Sequence, residues 1–483
     1  MNKCVTVIVG AKWGDEGKGK IASYESQDAS LVIRGTGGAN AGHTIVFNGK
    51  KLALHLVPGG IVYPHTTCII GPGVVLDLQI LLDEIRLLEN SGIPDVRSRL
   101  KISGRAHLVF DYHKALDFLH EKIKAHPVGT TGQGIGPCYS NKADRVGLRV
   151  YDLLLPISEL EAKLKEALFL HNQAFLNNSM TLFDSHEIAC TCKQYATELQ
   201  SMIADVTPII AKNIINNKKI VVEGAQAFML DLDHGNYPMV TSSNCCVGGT
   251  ICGANVPIGA VKNVILVDKA YNSRVGNGPF PTEVSSSFDI NNPLEGDTIR
   301  ELGHEYGTTT NRPRRCGWMD TVILKTELYQ SGGDFLCLNH LDTLGKIGNT
   351  LGYIKICTKY QVNCKNSYTI DLYPDNINTN SQSSSSMVPV YKVIEGGWDI
   401  DSSCRDYDEL PEKAKEFIEL VEETSGLPVK YIGVGPDNND LIIRQLPETS
   451  EEYLEVSPIN EDSSVFQAHP RKLPSRHYRG ERK

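Results

Sequence analysis

Residues 10–20, "GAKWGDEGKGK", set an acidic pair, Asp15 and Glu16, among four glycines and three lysines. Loops of this kind hold phosphate with backbone N–H groups and a lysine. The stretch Gly14 to Lys20 fits G-x-x-x-x-G-K, but Ile21 follows, where a P-loop carries the Ser or Thr that holds magnesium. A carboxylate in such a loop can ligate Mg²⁺ or accept a proton, so Asp15 gives the loop chemistry that simple phosphate binding does not need.

Further stretches add to this. In "RGTGGANAGHTI" (34–45) the glycines let backbone approach a ligand, Asn40 offers a two-sided amide, and His43 suits a developing phosphoryl charge. "GTTGQGIGPCYSNKADRVGLR" frames Thr130 and Thr131 with glycines and leads to Arg145 and Arg149. Gln226 ends a buried strand in "VEGAQ", and Thr241 lies in a polar loop. "GTTTNRPRRCGW" (307–318) combines threonines and guanidinium forks that can clamp a carboxylate or phosphate. In "CLNHLDTL" Asp342 follows a strand, where a carboxylate can accept from two adjacent guanine N–H groups.

Alternating strands and helices must position these residues. Apolar runs at 4–11, 29–35, 219–225, 261–270, 334–341, 353–360 and 429–435 predict strands. Several are continuously apolar, which suits a mainly parallel sheet buried on both faces. Asn48-Gly49, inside 43–57, predicts a hairpin. Helical periodicity marks 78–92, 157–178 and 410–426, the last opened by Pro411 and closed by Gly426. The fold class expected is α/β: one large domain, residues 1–446, around a mostly parallel central sheet, with a P-loop-like first turn and hairpin and helical subdomains. Residues 447–483 form a charged extension, first acidic and then basic.

The bulk numbers exclude other classes. Of 483 residues 41% are hydrophobic and 22% charged, with no run long enough to span a membrane. The formal charge of −9 argues against nucleic-acid partners. Thirteen cysteines without a CxxC pair read as reduced, mostly buried thiols, and the N-terminus lacks a signal-peptide pattern, so a cytoplasmic location is expected.

"WGDEGKGK", "NAGHT", "GTTGQGIGP", "EGAQ", "DHGNYPMVTSSN", "KAYNSRVGNGPFPTE" and "RRCGWMD" follow one another in an order and spacing that resembles the adenylosuccinate synthetase family, from about Val5 to about Arg444. The resemblance implies a homodimeric ligase that joins IMP and L-aspartate, with GTP as co-substrate and one Mg²⁺ per subunit, through 6-phosphoryl-IMP. It implies catalytic roles for Asp15, Lys18, His43 and Gln226, with Asp15 and the Gly42 carbonyl on the metal. IMP contacts would come from Asn40, Thr131, Gln226, Thr241 and Arg312, with Arg145 crossing from the other subunit and Val275 shaping the ribose pocket. L-aspartate would meet Thr309, Thr310, Arg312 and Arg314. GTP would meet Gly14, Glu16, Gly17, Lys18, Gly42, Thr44, His340, Asp342, Gly433 and Gly435.

The chain departs from the family pattern at several places. His340 stands for the usual Lys, Gly433 for the usual Ser, Ala39 for His, Asn311 for Gly and Gln133 for Arg. The first two strip contacts from the nucleotide base and leave open a related ligase that joins aspartate to dGMP with ATP or dATP. Relatives of that kind replace the first-loop Asp with a small residue, so Asp15 favours IMP. A non-catalytic nucleotide-binding paralogue is the third reading, and it has no use for a base, an acid and an amine-substrate clamp together.

Overall fold

The computed structural model describes residues 1–47, 50–124, 129–285, 294–307, 313–362, 367–374 and 387–446. The apolar runs build a ten-stranded sheet ordered Leu441–Ile443, Val429–Gly433, Phe335–Asn339, Val261–Lys269, Val5–Gly10, Ile220–Glu223, Leu31–Arg34, Thr67–Ile70, Leu100–Ser103, Ile203–Ala204. Every pairing is parallel except that of the edge strand Leu441–Ile443.

All six residues of Val5–Gly10 are buried, and successive side chains enter different cores. Ile8 and Val32 join one apolar cluster; Val5, Val7, Val9, Leu31 and Ile33 join the cluster on the opposite face. Each fully buried side chain of this size contributes about 1.5–3 kcal/mol of transfer free energy. A strand buried on both faces has no polar alternation to show, which is why the sequence reads as an unbroken apolar run.

The hairpin pairs His43–Phe47 with Lys50–Leu54, His43 opposite Leu54; its Asn48-Gly49 turn lies outside the described residues. The expected helices are Leu78–Asn90, Ile157–Asn177 and Glu412–Ser425. Asp77 caps the first by accepting from Ile80 N at 3.1 Å, and Gly426 closes the third at φ 76°. Between Leu100–Ser103 and Ile203–Ala204 the chain makes a helical excursion that includes Asp111–Ile123, Ile135–Asp144, Ile157–Asn177 and Ser185–Leu199.

One strand sits elsewhere than the central sheet. Tyr353–Val362 belongs to a separate four-stranded sheet, parallel to Met319–Asp320 and antiparallel to Met387–Glu395 and Tyr368–Ile370. Ile354 and Ile356 are buried, whereas Lys355 is half-buried and Lys359 exposed. This one-sided pattern suits an antiparallel sheet with a wet face.

The helix Thr321–Ser331 buries Glu327 completely, and neither carboxylate oxygen has a hydrogen-bond partner among the described residues. Burial first, then the carboxylates of Glu16 and Asp268, raise its pKa well above the ordinary value. The folded chain therefore holds a proton that the unfolded chain releases, and stability falls as pH rises above the unfolded value near 4.5. Glu327→Leu is expected to stabilise the fold by about 2 kcal/mol, with a gain at pH 8 larger than at pH 5. Denaturation midpoints at the two pH values check both size and slope.

Candidate active site

Six neighbouring strands, Val429–Gly433, Phe335–Asn339, Val261–Lys269, Val5–Gly10, Ile220–Glu223 and Leu31–Arg34, point their C-terminal ends the same way. The segments that leave those ends carry Gly435, Asp342, Lys269, Asp15, Gln226 and Asn40 in that spatial order. Ligands of open parallel sheets bind at this edge. Asp15, Gln226 and His340 all hold left-handed backbone, at φ 60°, 55° and 63°. Non-glycine residues adopt it at a cost of about 1–2 kcal/mol, and such strain gathers at functional sites.

The first loop turns at Gly14 (φ 93°) and Gly17 (φ 86°), and the helix Lys18–Glu25 begins directly after. No side chain caps that helix start, so its leading N–H groups remain available to an anion. Glu16 points inward: its carboxylate accepts from Gly14 N at 2.7 Å and pairs with Lys18 at 2.9 Å. Lys12 pairs with Asp268 at 2.7 Å and is buried. Asp15 instead faces out, its side chain 41% exposed, with one carboxylate oxygen 2.7 Å from Arg314 Nη2.

Arg314 is buried and fixed from behind. Its Nη1 donates to Glu305 at 2.6 Å, and the same carboxylate accepts from Lys269 at 2.6 Å and from the Tyr271 hydroxyl at 2.9 Å. Burial alone would raise the pKa of Glu305; the two cations overcome it and hold it down at about 2. Glu305 went unmarked in the sequence, and Lys269 and Tyr271 entered only within the quoted stretch "KAYNSRVGNGPFPTE", with no role given to either. Beyond that, the signal was a Glu just before the Thr-rich loop and a Lys ending a buried strand. Of that loop, Thr309, Thr310 and Arg312 lie outside the described residues.

On the other side of the first loop, the Asn40 amide accepts from Gln226 at 3.0 Å and from Gly38 N at 3.3 Å, and donates to the Thr241 hydroxyl at 3.4 Å. Three residues from distant parts of the chain thus form one polar surface. His43 Nδ1 lies 3.4 Å from Arg34 Nη1. Guanidinium only donates, so Nδ1 accepts and the ring proton sits on Nε2, an enclosed atom without a partner among the described residues. Burial, then Arg34, His55 and Lys18, push this histidine down to about 3, so the ring is neutral. Gly19 leaves room for the hairpin: a Cβ there would stand 3.2 Å from the Thr44 carbonyl. Gly42 and Thr44 are exposed beside it.

At the opposite end of the edge, Asp342 lies in the first turn of Leu341–Leu351, half-buried, with no hydrogen bond or ion pair to its carboxylate among the described residues. The His340 ring packs edge-on to Tyr271 at 5.7 Å, and burial together with Lys269 pushes its pKa down to about 4. Asn339 donates to the Glu16 carbonyl at 2.7 Å, and its Oδ1 lies 2.5 Å from where a Cβ on Gly433 would stand. A side chain at 433 therefore needs Asn339 to move, which accounts for glycine there. Lys20 donates to the carbonyls of Gly435 (2.8 Å) and Asp440 (2.7 Å), tying the first helix to this loop.

Thr131 is exposed, while its neighbour Thr130 donates to Asp117 at 2.9 Å and anchors the loop. Arg145 is exposed in left-handed conformation (φ 66°) at the end of Ile135–Asp144, its guanidinium without a hydrogen bond or ion pair among the described residues. Val275 is 56% exposed. Hard oxygen donors that suit Mg²⁺ are present in the exposed Asp15 carboxylate and the Gly42 carbonyl.

The sequence profile of the family described as adenylosuccinate synthetase matches residues 7–442. The adenylosuccinate synthetase of Acetivibrio thermocellus is 45% identical over 441 residues, covering 90% of this chain and 99% of the relative. That of Heliobacterium modesticaldum is 42% identical over 438 residues, covering 90% and 98%. The fully ligated adenylosuccinate synthetase of Plasmodium falciparum superposes with a TM-score of 0.82 at 37% identity, covering 92% of this chain and all of the other. A cyanophage S-2L succinoaminodeoxyadenylate synthetase, bound to dGMP and dATP, shares the fold with a TM-score of 0.56 at 19% identity.

Proposed function

The chain belongs to the adenylosuccinate synthetase family, and we propose that Asp15, Lys18, His43 and Gln226 carry its reaction, the GTP-driven joining of IMP and L-aspartate. The observation that supports this most is the 2.7 Å pair of Asp15 and Arg314 at the mouth of an uncapped phosphate loop. A base for the nucleotide and a cation for the amino acid's carboxylate meet there.

In this reading the substrates lie side by side along the sheet edge. Guanine meets Asp342 and the loop of Gly433 and Gly435. The triphosphate runs over the helix start at Lys18, with Gly14, Glu16, Gly17, Gly42 and Thr44 around it, and His340 stands on the base side, two residues before Asp342. IMP lies against Asn40, Thr131, Gln226, Thr241 and Val275. Asp15 takes the N1 proton, and O6 attacks the γ-phosphorus of GTP, breaking its bond to the β-phosphate oxygen so that GDP leaves. His43 and Lys18 stabilise the charge that moves with the phosphoryl group. The amine of L-aspartate, held by Arg314 with Thr309, Thr310 and Arg312, then displaces phosphate from C6. Asp15 and the Gly42 carbonyl would hold one Mg²⁺, which would supply charge neutralisation of the phosphates.

Two results check parts of this reading. Asp342→Asn turns an acceptor pair into one acceptor and one donor facing the guanine N–H groups, and is expected to raise the KM for GTP at least tenfold. A KM within twofold of the parent removes Asp342 as the base reader. We also place Arg145 in the partner's IMP site within a homodimer, because its side chain is exposed and uncommitted. Arg145→Leu and an Asp15 variant, each weak alone, should regain activity when mixed, since one site of each hybrid is intact. No recovery rules out a shared site. The chain as described holds only free cysteines, which fits the cytoplasm, and no described helix is long and apolar enough to cross a membrane.

A further inference from the structure

Arg145 presents a local puzzle. The position after a helix that turns left-handed is normally glycine, because a Cβ there is strained, yet an arginine holds φ 66°. Most of the turn's bonds meet at one acceptor: the backbone carbonyl of Asn141 receives both Val146 N and Gly147 N, each at 3.1 Å, while the Lys142 carbonyl accepts from Arg145 N at 3.3 Å. Asn141 is itself buried, and its side-chain amide bridges two imidazoles. Its Nδ2 is placed 3.0 Å from His113 Nε2 and its Oδ1 3.1 Å from His171 Nε2. His113 Nδ1 accepts from Phe110 N at 3.0 Å.

The protons on this chain can be assigned by counting. His113 accepts at Nδ1, so its ring proton sits on Nε2 and needs an acceptor. Flipping the near-symmetric amide of Asn141 by 180° from its placement turns its oxygen to His113 and its NH₂ to His171, whose Nε2 accepts. Burial holds both imidazoles neutral, with His113 pushed down to about 3 and His171 lowered in the same direction. Each link then has one donor and one acceptor, from the Phe110 N–H through His113 and Asn141 to His171. The chain ties the helices Asp111–Ile123, Ile135–Asp144 and Ile157–Asn177 together.

We propose that His113, Asn141 and His171 are positioning residues for Arg145: by clamping the Asn141 side chain they fix the carbonyl that holds the strained turn, and so aim the guanidinium at the IMP phosphate of the partner subunit. The inference rests on the reading of Arg145 given above. It assigns work to two buried polar side chains and one half-buried one that touch no substrate, and it explains why an arginine can occupy a glycine position.

The test uses steady-state kinetics of the full-length dimer. Asn141→Leu keeps the volume and removes both side-chain bonds. It is expected to raise the KM for IMP about tenfold while kcat and the KM for GTP and L-aspartate stay within twofold. Asn141→Asp should return the KM for IMP to within about twofold of the parent, because a carboxylate accepts from His113 Nε2–H and from the other tautomer of His171. His171→Leu, on a half-buried helix face, should raise the KM for IMP about threefold and covers the case in which Asn141→Leu does not fold. An unchanged KM for IMP in Asn141→Leu, beside a raised one in Arg145→Leu, overturns the positioning role alone. Unchanged values in both overturn the reading of Arg145. Equal losses in Asn141→Leu and Asn141→Asp, spread over kcat and every KM, mean a merely structural role and also overturn the proposal.

Discussion

Asp15→Ala is expected to lower kcat about a thousandfold, the scale of a lost general base, while equilibrium binding of IMP stays within a few-fold of the parent. The side chain faces the site with 41% of its surface exposed and its ion pair is to Arg314, which Glu305 also holds, so its removal costs little structure. What is lost is the proton acceptor and the negative partner of Arg314. Asp15→Asn, which keeps the shape but not the charge, should fail equally. A kcat within tenfold of the parent in either variant would remove Asp15 as the base.

The second large effect is expected away from the substrate. Glu305→Gln leaves Lys269 and Arg314 buried beside a neutral amide, and breaking a buried ion pair from one side costs about 3–5 kcal/mol. The same change frees Arg314 to pair with Asp15 alone, so the KM for L-aspartate should rise with the loss of stability. The pH dependence has a definite sign. The folded-state pKa of Glu305, about 2, lies below its ordinary value of 4.5. Its contribution is therefore present in full above pH 4.5 and is lost as pH falls toward 2. The stability gap between parent and variant should be constant from pH 5 to pH 8 and shrink in acid. A variant as stable as the parent at pH 7, with an unchanged KM for L-aspartate, would show that Glu305 does not anchor the clamp.

Much of the architecture was legible because its signals are local. The strands around Asp15, Gln226 and Asp342 are unbroken apolar runs, and each motif residue follows one of them, so a parallel sheet places them on one edge. The hairpin and the long amphipathic helices carried equally local signals. Harder to see were helices with no clear stripe. Lys18–Glu25 starts in Gly and Lys, and Thr321–Ser331 buries Thr, Ile and Glu alike. Tyr353–Val362 was legible as a strand but not as a member of a second sheet, since pairing is decided by partners far along the chain.

The site showed the same division. Residue types with obvious chemistry stood out, while the groups that orient them did not. Glu305 meets Lys269 across 36 positions and Asn339 meets Glu16 across 323. No spacing rule connects such pairs, and a buried Glu or Asn looks like any other in a list of residues. The neutral state of His43 was also hidden, because it follows from burial and from Arg34 and not from the motif around it.

The most direct test of the account is adenylosuccinate formation by the purified protein with IMP, L-aspartate and Mg²⁺, comparing GTP with ATP in otherwise identical mixtures. The account predicts product with GTP and little with ATP, with Asp342 reading guanine despite His340 and Gly433. Product with ATP, or none until dGMP replaces IMP, would contradict it.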